Sequence, residues 1–204
     1  MVNPKGWDEV HNYKMRGHPR LRLAVFWTND SSLISPSSSY LSRCFEIFWR
    51  YGVGLDVFAG QENQMFPPQA SLGMVLDYDG NVDQDDDIAK VRALANDAFD
   101  DEGIAGRKRL PVIFCPFGAA LSARDDSTLG ITIKNVAPWP PFVLINSKNT
   151  STDLATLAHE IGHAGGCVHV ALDGNVMNYP PPDRSEFLHS QMNRIVGSYF
   201  CKGG

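Results

Sequence analysis

Several features are scarce or missing in this chain of 204 residues, and each absence excludes a class of protein. Only 4 cysteines occur, none in C-x-x-C spacing, which is too few for a disulfide scaffold. No apolar run approaches the ~20 residues that cross a bilayer, so no membrane span is predicted. Lys and Arg number 18 against 23 Asp and Glu, and the net charge of −5 argues against a nucleic-acid binder.

The cysteines divide into two pairs by their surroundings. Cys44 and Cys115 lie in apolar contexts and are predicted to be free, buried thiols. Cys167 and Cys201 both lie in the C-terminal part, where a bridge between them is left open.

The N-terminal residues are polar and carry charges from Lys5 to Arg16 without an apolar core, so no secretory signal peptide is predicted in this chain. Residues 1–19 read as an arm, and the remaining length is typical of one domain. Localisation stays open between a mature exported protein, signal-independent export and an internal protein.

Hydrophobic periodicity predicts a mixed α/β (α+β) fold. A serine-rich loop is expected at 31–39. Helices are predicted over residues 40–52, 86–99, around 154–166, and 187–200. Strands are predicted over residues 21–27, 55–59, 74–76, 111–117, 130–136 and 142–146. The first two strands flank a helix, so they are expected to be parallel neighbours.

One stretch carries recognisable chemistry: residues 159–169 read H-E-x-x-H-x-x-G-x-x-H. His159 and His163 lie one turn apart on one helix face, and neutral imidazoles are favoured zinc ligands. Gly166 lets the helix end abruptly, because glycine adopts a left-handed turn at little cost. The chain can then double back and deliver His169 as a third ligand, which leaves a fourth position for water, as in catalytic zinc sites.

Glu160 lies on the same helical turn but is rotated away from the histidine pair. We therefore expect it beside the metal, where it can deprotonate a zinc-bound water. Zinc lowers the pKa of such a water from 15.7 toward ~7.

This pattern resembles the zinc signature of the metzincin metallopeptidases. Met177 resembles the family's methionine in a tight turn under the zinc, and its short distance from His169 is similar to the matrixin arrangement. Tyr179, two residues later, resembles instead the tyrosine of astacins, serralysins and pappalysins. In astacins and serralysins that tyrosine reaches the metal or the oxyanion, so the resemblance implies a catalytic role for Tyr179. The subfamily is left open.

The resemblance implies a single metallopeptidase domain, with an upper lobe at 20–166 and a smaller lower lobe at 167–204. The upper lobe would hold a twisted mixed sheet of about five strands, a backing helix and the active-site helix. The lower lobe would hold the Met-turn and a terminal helix. One catalytic Zn²⁺, a protein or peptide substrate added to the edge strand at 130–136, and export are implied; we expect a monomer.

Two other functions are kept open: a zinc hydrolase of a non-protein amide, and a non-catalytic binding or toxin-like module on the same scaffold. An acidic loop at residues 77–87 also leaves two interpretations. Its alternating oxygen-bearing side chains resemble calcium ligands, but Gly80 and Ile88 depart from the EF-hand pattern. Ca²⁺ binding and a solvated loop that caps the next helix both remain open.

Overall fold

A computed structural model describes residues 17–27, 34–59, 109–115, 129–134, 141–146, 153–179 and 183–203. Within these ranges the chain forms six strands and three helices. The strands are β1 (Arg20–Trp27), β2 (Gly54–Ala59), β3 (Leu110–Cys115), β4 (Gly130–Ile133), β5 (Phe142–Asn146) and β6 (Cys201–Lys202), and the helices are α1 (Ile34–Trp49), α2 (Thr156–Ala164) and α3 (His189–Val196).

The strands form one mostly parallel sheet in the order β2-β1-β3-β5-β4. β1 pairs in parallel with both β2 and β3, and β3 in parallel with β5. β4 lies at one edge and runs antiparallel to β5. β6 pairs antiparallel with the first two residues of β1, before the point where β3 begins to pair with that strand.

The parallel strands are near-continuous apolar runs. Such runs are typical of parallel sheets, because both faces of these sheets are covered and little of the strand surface reaches water. All six residues of β3 are buried. Val25, Val112 and Val143 align across three neighbouring strands and belong to one buried cluster with the apolar faces of α1 and α2. This packing brings α2 against β4, β5 and α1.

Helix α1 begins at Ile34, so the prediction of a serine-rich loop over 31–39 was wrong for its described part. Serine has only a modest helix propensity, and packing of the later turns overrides it. Pro36 is compatible with this start, because the N–H groups of the first helical turn have no partner within the helix.

The C-terminal prediction also needs correction. The helix expected over 187–200 is confined to His189–Val196, and Gly197 follows its last turn. Cys201 and Lys202 instead form β6, a short strand that was not predicted. All four cysteines are free thiols, so Cys167 and Cys201 form no bridge.

Three predictions fall outside the described residues: the strand at 74–76, the acidic loop at 77–87 with its calcium question, and the helix at 86–99. In the ranges that are described, no helix has the length and apolar character needed to cross a membrane.

Phe48 ties α1 to the C-terminal part of the chain. Its side chain is fully buried and stacks on Phe187 at a centroid distance of 5.3 Å. Phe48→Ala should therefore lower the free energy of unfolding by about 3–5 kcal/mol, measured by urea denaturation. Glu46→Ala, on the exposed face of the same helix, should change it by no more than about 0.5 kcal/mol. Equal effects of the two changes would contradict this assignment of the core.

Candidate metal centre

The first turn of α2 is anchored by a partly buried ion pair. The Asp153 carboxylate accepts a hydrogen bond from the Ala155 N–H and pairs with the Arg184 guanidinium, which is buried. A carboxylate at this end also interacts favourably with the helix dipole. The C-terminal segment of the chain therefore holds the start of the helix on which the histidine motif lies.

The other end of α2 closes with a Schellman motif. The Cys167 N–H donates to the Gly162 carbonyl, and the Gly166 N–H donates to the His163 carbonyl, both at 2.9 Å. Gly166 adopts φ +86, the left-handed conformation that this motif requires and that glycine tolerates best. The predicted abrupt end of the helix is confirmed, and the chain turns back toward His169.

Backbone carbonyls orient both histidines of the helix. His159 Nδ1 lies 2.7 Å from the Val176 carbonyl oxygen, and His163 Nδ1 lies 3.0 Å from the Cys167 carbonyl oxygen. A carbonyl only accepts, so each Nδ1 carries the proton and donates. Each Nε2 is therefore left with a free lone pair, the form in which imidazole binds a metal.

The three Nε2 atoms converge. His169 Nε2 lies 3.1 Å from His159 Nε2 and 2.9 Å from His163 Nε2, and these three histidines form a group that could hold a metal ion. A tetrahedral ion with metal–nitrogen distances of 2.0–2.1 Å spaces its ligand nitrogens by roughly 3.3 Å. The spacing of the three nitrogens is therefore close to that of ligands around one cation. At least two of these nitrogens have a lone pair available for it.

Burial keeps the helix histidines uncharged. Loss of solvation lowers the pKa of His159 to about 3 and that of His163 to about 4. The pKa of His169 is lowered for the same reason. All three rings are thus neutral at neutral pH, and a metal ion need not displace protons from them.

Met177 lies in a tight turn beneath this group. The Asn178 N–H donates to the Asn175 carbonyl at 3.0 Å, and the Met177 N–H donates to the Asn175 side-chain oxygen at 2.8 Å. The Met177 side chain is fully buried against Gly162, where an added Cβ would lie 2.4 Å from its sulfur. Glycine at 162 therefore lets this turn approach the helix closely.

A buried amide pair fixes the same turn to α3. Asn175 Nδ2 donates to Gln191 Oε1 at 3.0 Å, and Gln191 Oε1 also accepts the Leu188 N–H at 2.7 Å. Because the turn contains the Val176 carbonyl that orients His159, this pair supports the geometry of the histidine group.

Glu160 is buried between α2 and the edge strand. Its Oε2 lies 2.6 Å from Thr132 Oγ1 on β4. Burial raises the pKa of Glu160 to about 7, although the Thr132 hydrogen bond and the positive charges of Arg184 and Lys134 act in the opposite direction. A carboxyl group with such a pKa can both take up and release a proton near neutral pH.

Tyr179 lies on the exposed side of the group. Its ring stacks on His169 with centroids 5.6 Å apart and an interplanar angle of 15°. Half of its surface is exposed, which leaves it accessible to a bound molecule. The Lys134 ammonium is also near, 3.5 Å from His163 Nδ1.

The three histidines of the motif, His159, His163 and His169, converge in the structure, and Tyr179 stacks on His169. The roles of Glu160 and Tyr179 remain predictions. The residues from other segments that contact or support this group were not identified from the sequence. These are Thr132, Lys134, the Asp153–Arg184 ion pair and the Asn175–Gln191 pair. Thr132 and Lys134 lie two positions apart and hence on one strand face, but the sequence carries no information about which helix that face contacts.

Neither the protein-family models nor the curated proteins contain a match to this chain.

Gln191 offers a test of the support beneath the histidines. Gln191→Ala leaves the buried Asn175 amide and the Leu188 N–H without their partner, so the free energy of unfolding should fall by about 1–3 kcal/mol. Ser190→Ala, on the exposed side of the same helix, is the control and should change it by at most about 0.5 kcal/mol. Urea denaturation measures both, and an unchanged Gln191→Ala midpoint would refute this role.

Proposed function

We propose that this protein is a zinc-dependent endopeptidase of the metzincin type. The observation that carries the proposal is the convergence of three imidazole nitrogens, two from helix α2 and one from the segment after it, together with a buried carboxyl group on the same helix. The mixed sheet beside that helix and the Met177 turn packed against Gly162 also support the proposal.

His159, His163 and His169 would hold the zinc ion through their Nε2 atoms. When bound, zinc supplies Lewis acidity, which makes a water molecule acidic and polarises a substrate carbonyl. The three neutral ligands preserve the full positive charge of the ion for this purpose. The Val176 and Cys167 carbonyls keep the rings in the binding tautomer.

Glu160 is the general base of the proposed reaction. Its carboxylate takes a proton from the attacking water and later gives it to the nitrogen of the departing amine. A pKa of about 7 suits both transfers at neutral pH. The Tyr179 hydroxyl donates a hydrogen bond to the oxyanion that develops on the substrate, a role supported by its exposed position against His169.

The edge strand supplies the proposed site for an extended substrate. Among the described strands, β4 pairs with β5 alone, so its outer backbone groups can pair with a peptide strand. We continue to predict that the enzyme is a monomer, that it acts on proteins or peptides, and that it is exported from the cell. We also predict that it binds no nucleic acid. The division into lobes at 166/167 and the arm at 1–19 also remain predictions.

Zinc binding tests the ligand set. The wild-type protein should bind one equivalent of zinc, and His163→Ala should weaken binding by at least about 100-fold, because losing a ligand costs more than losing an outer-shell contact. Isothermal titration calorimetry measures both. Glu160→Gln, which changes no proposed ligand, is the matched control and should retain the affinity. Unchanged affinity in His163→Ala would refute the ligand assignment.

Peptide cleavage tests the reaction. The zinc-loaded wild-type protein should cleave members of a diverse peptide library, and Glu160→Gln should reduce kcat by about 10²–10⁴-fold with zinc still bound. Full activity in Glu160→Gln would refute the base assignment. Hydrolysis of acyl-amide or cell-wall amide substrates without peptide cleavage would favour the non-protein amide hydrolase, and no turnover on any substrate would favour a binding module.

A further inference from the structure

Two residues of β4 form a seat for the Glu160 side chain, here called the Gly130–Thr132 seat. They lie two positions apart, hence on the same strand face. Thr132 Oγ1 lies 2.6 Å from Glu160 Oε2 and 2.8 Å from the Glu160 backbone oxygen. A Cβ added at Gly130 would lie 2.8 Å from Glu160 Cγ. Gly130 thus provides the space that the carboxyl group occupies, and Thr132 the polar contact.

The two carboxyl oxygens of Glu160 have different surroundings in the Gly130–Thr132 seat. Oε2 is held by the Thr132 hydroxyl, whereas Oε1 has no hydrogen-bond partner in the part of the chain that the structure describes. The Gly130 backbone lies close to Cγ and Oε1, so Thr132 and Gly130 together restrict the direction in which Oε1 points.

From this geometry we propose that Thr132 is a positioning residue that aims Glu160 Oε1 at the reacting water. The inference rests on the proposed function. A proton taken from the water resides on Oε1, so Oε2 can accept a hydrogen bond from the Thr132 hydroxyl both before and after the transfer. The contact therefore survives the proton transfer, and the base does not have to be reoriented between its two steps.

Thr132→Val and Thr132→Ser distinguish the effect of the hydroxyl group from the effect of the side-chain shape. Thr132→Val keeps the volume but removes the hydrogen bond, and kcat for a peptide substrate should fall by about 10–100-fold with KM and zinc affinity unchanged. Thr132→Ser keeps the hydroxyl and should retain kcat to within about threefold. Gly130→Ala crowds Glu160 from the other side of the seat and should also lower kcat with zinc bound.

A double-mutant cycle in the zinc-free protein supplies a readout that does not depend on activity. Thr132→Val should lower the urea midpoint by more in the wild-type background than in the Glu160→Ala background, because the side-chain partner is then absent and only the backbone oxygen of residue 160 remains. Equal shifts in the two backgrounds would overturn the contact itself.

The outcomes separate this inference from the function on which it rests. An active wild-type enzyme with unchanged kcat in Thr132→Val overturns the positioning role alone. A zinc-loaded wild-type protein that cleaves no peptide overturns both, even where the double-mutant cycle shows coupling. Loss of kcat in Thr132→Val, its retention in Thr132→Ser and coupling in the cycle together support the proposal.

Discussion

The candidate site depends on two hydrogen bonds from histidine rings to backbone carbonyls. The Val176 and Cys167 carbonyls accept from the Nδ1 atoms of His159 and His163, so both Nε2 lone pairs face the same point. Moving the proton of either ring from Nδ1 to Nε2 would set the Nδ1 lone pair against the carbonyl oxygen and remove one metal-binding lone pair from the site. The histidine group therefore exists only as long as the two segments that carry these carbonyls stay in place.

Each of those segments is fixed by its own turn. The Schellman motif at the end of α2 places Cys167, and the Asn175 turn, tied to Gln191 on α3, places Val176. Helix α2 has only nine residues, which is too short to be stable in isolation. Its position comes from contacts with α1, β4 and β5 and from the ion pair between Asp153 and Arg184.

The buried carboxyl group of Glu160 is unfavourable for the stability of the fold. A carboxyl group buried beside neutral imidazoles loses most of its solvation, which raises its pKa, and Thr132 compensates only part of the loss. A leucine here would pack at lower cost, so the buried acid is hard to explain by stability alone. Unfavourable burial of a titratable group next to possible metal ligands is typical of functional sites.

The local features of this protein follow from its amino-acid sequence alone. Helical geometry places His159 and His163 on one face, Gly166 permits the reversal that brings in His169, and apolar runs define most of the strands and two of the described helices. The residues that support these features come from distant segments and are specified by the packing of the fold. Thr132 lies 28 positions from Glu160, Asp153 lies 31 from Arg184, and β6 pairs with the opposite end of the chain. Spacing along a chain reports neighbours within one helix or strand, whereas partners this distant are selected by the packing of whole elements.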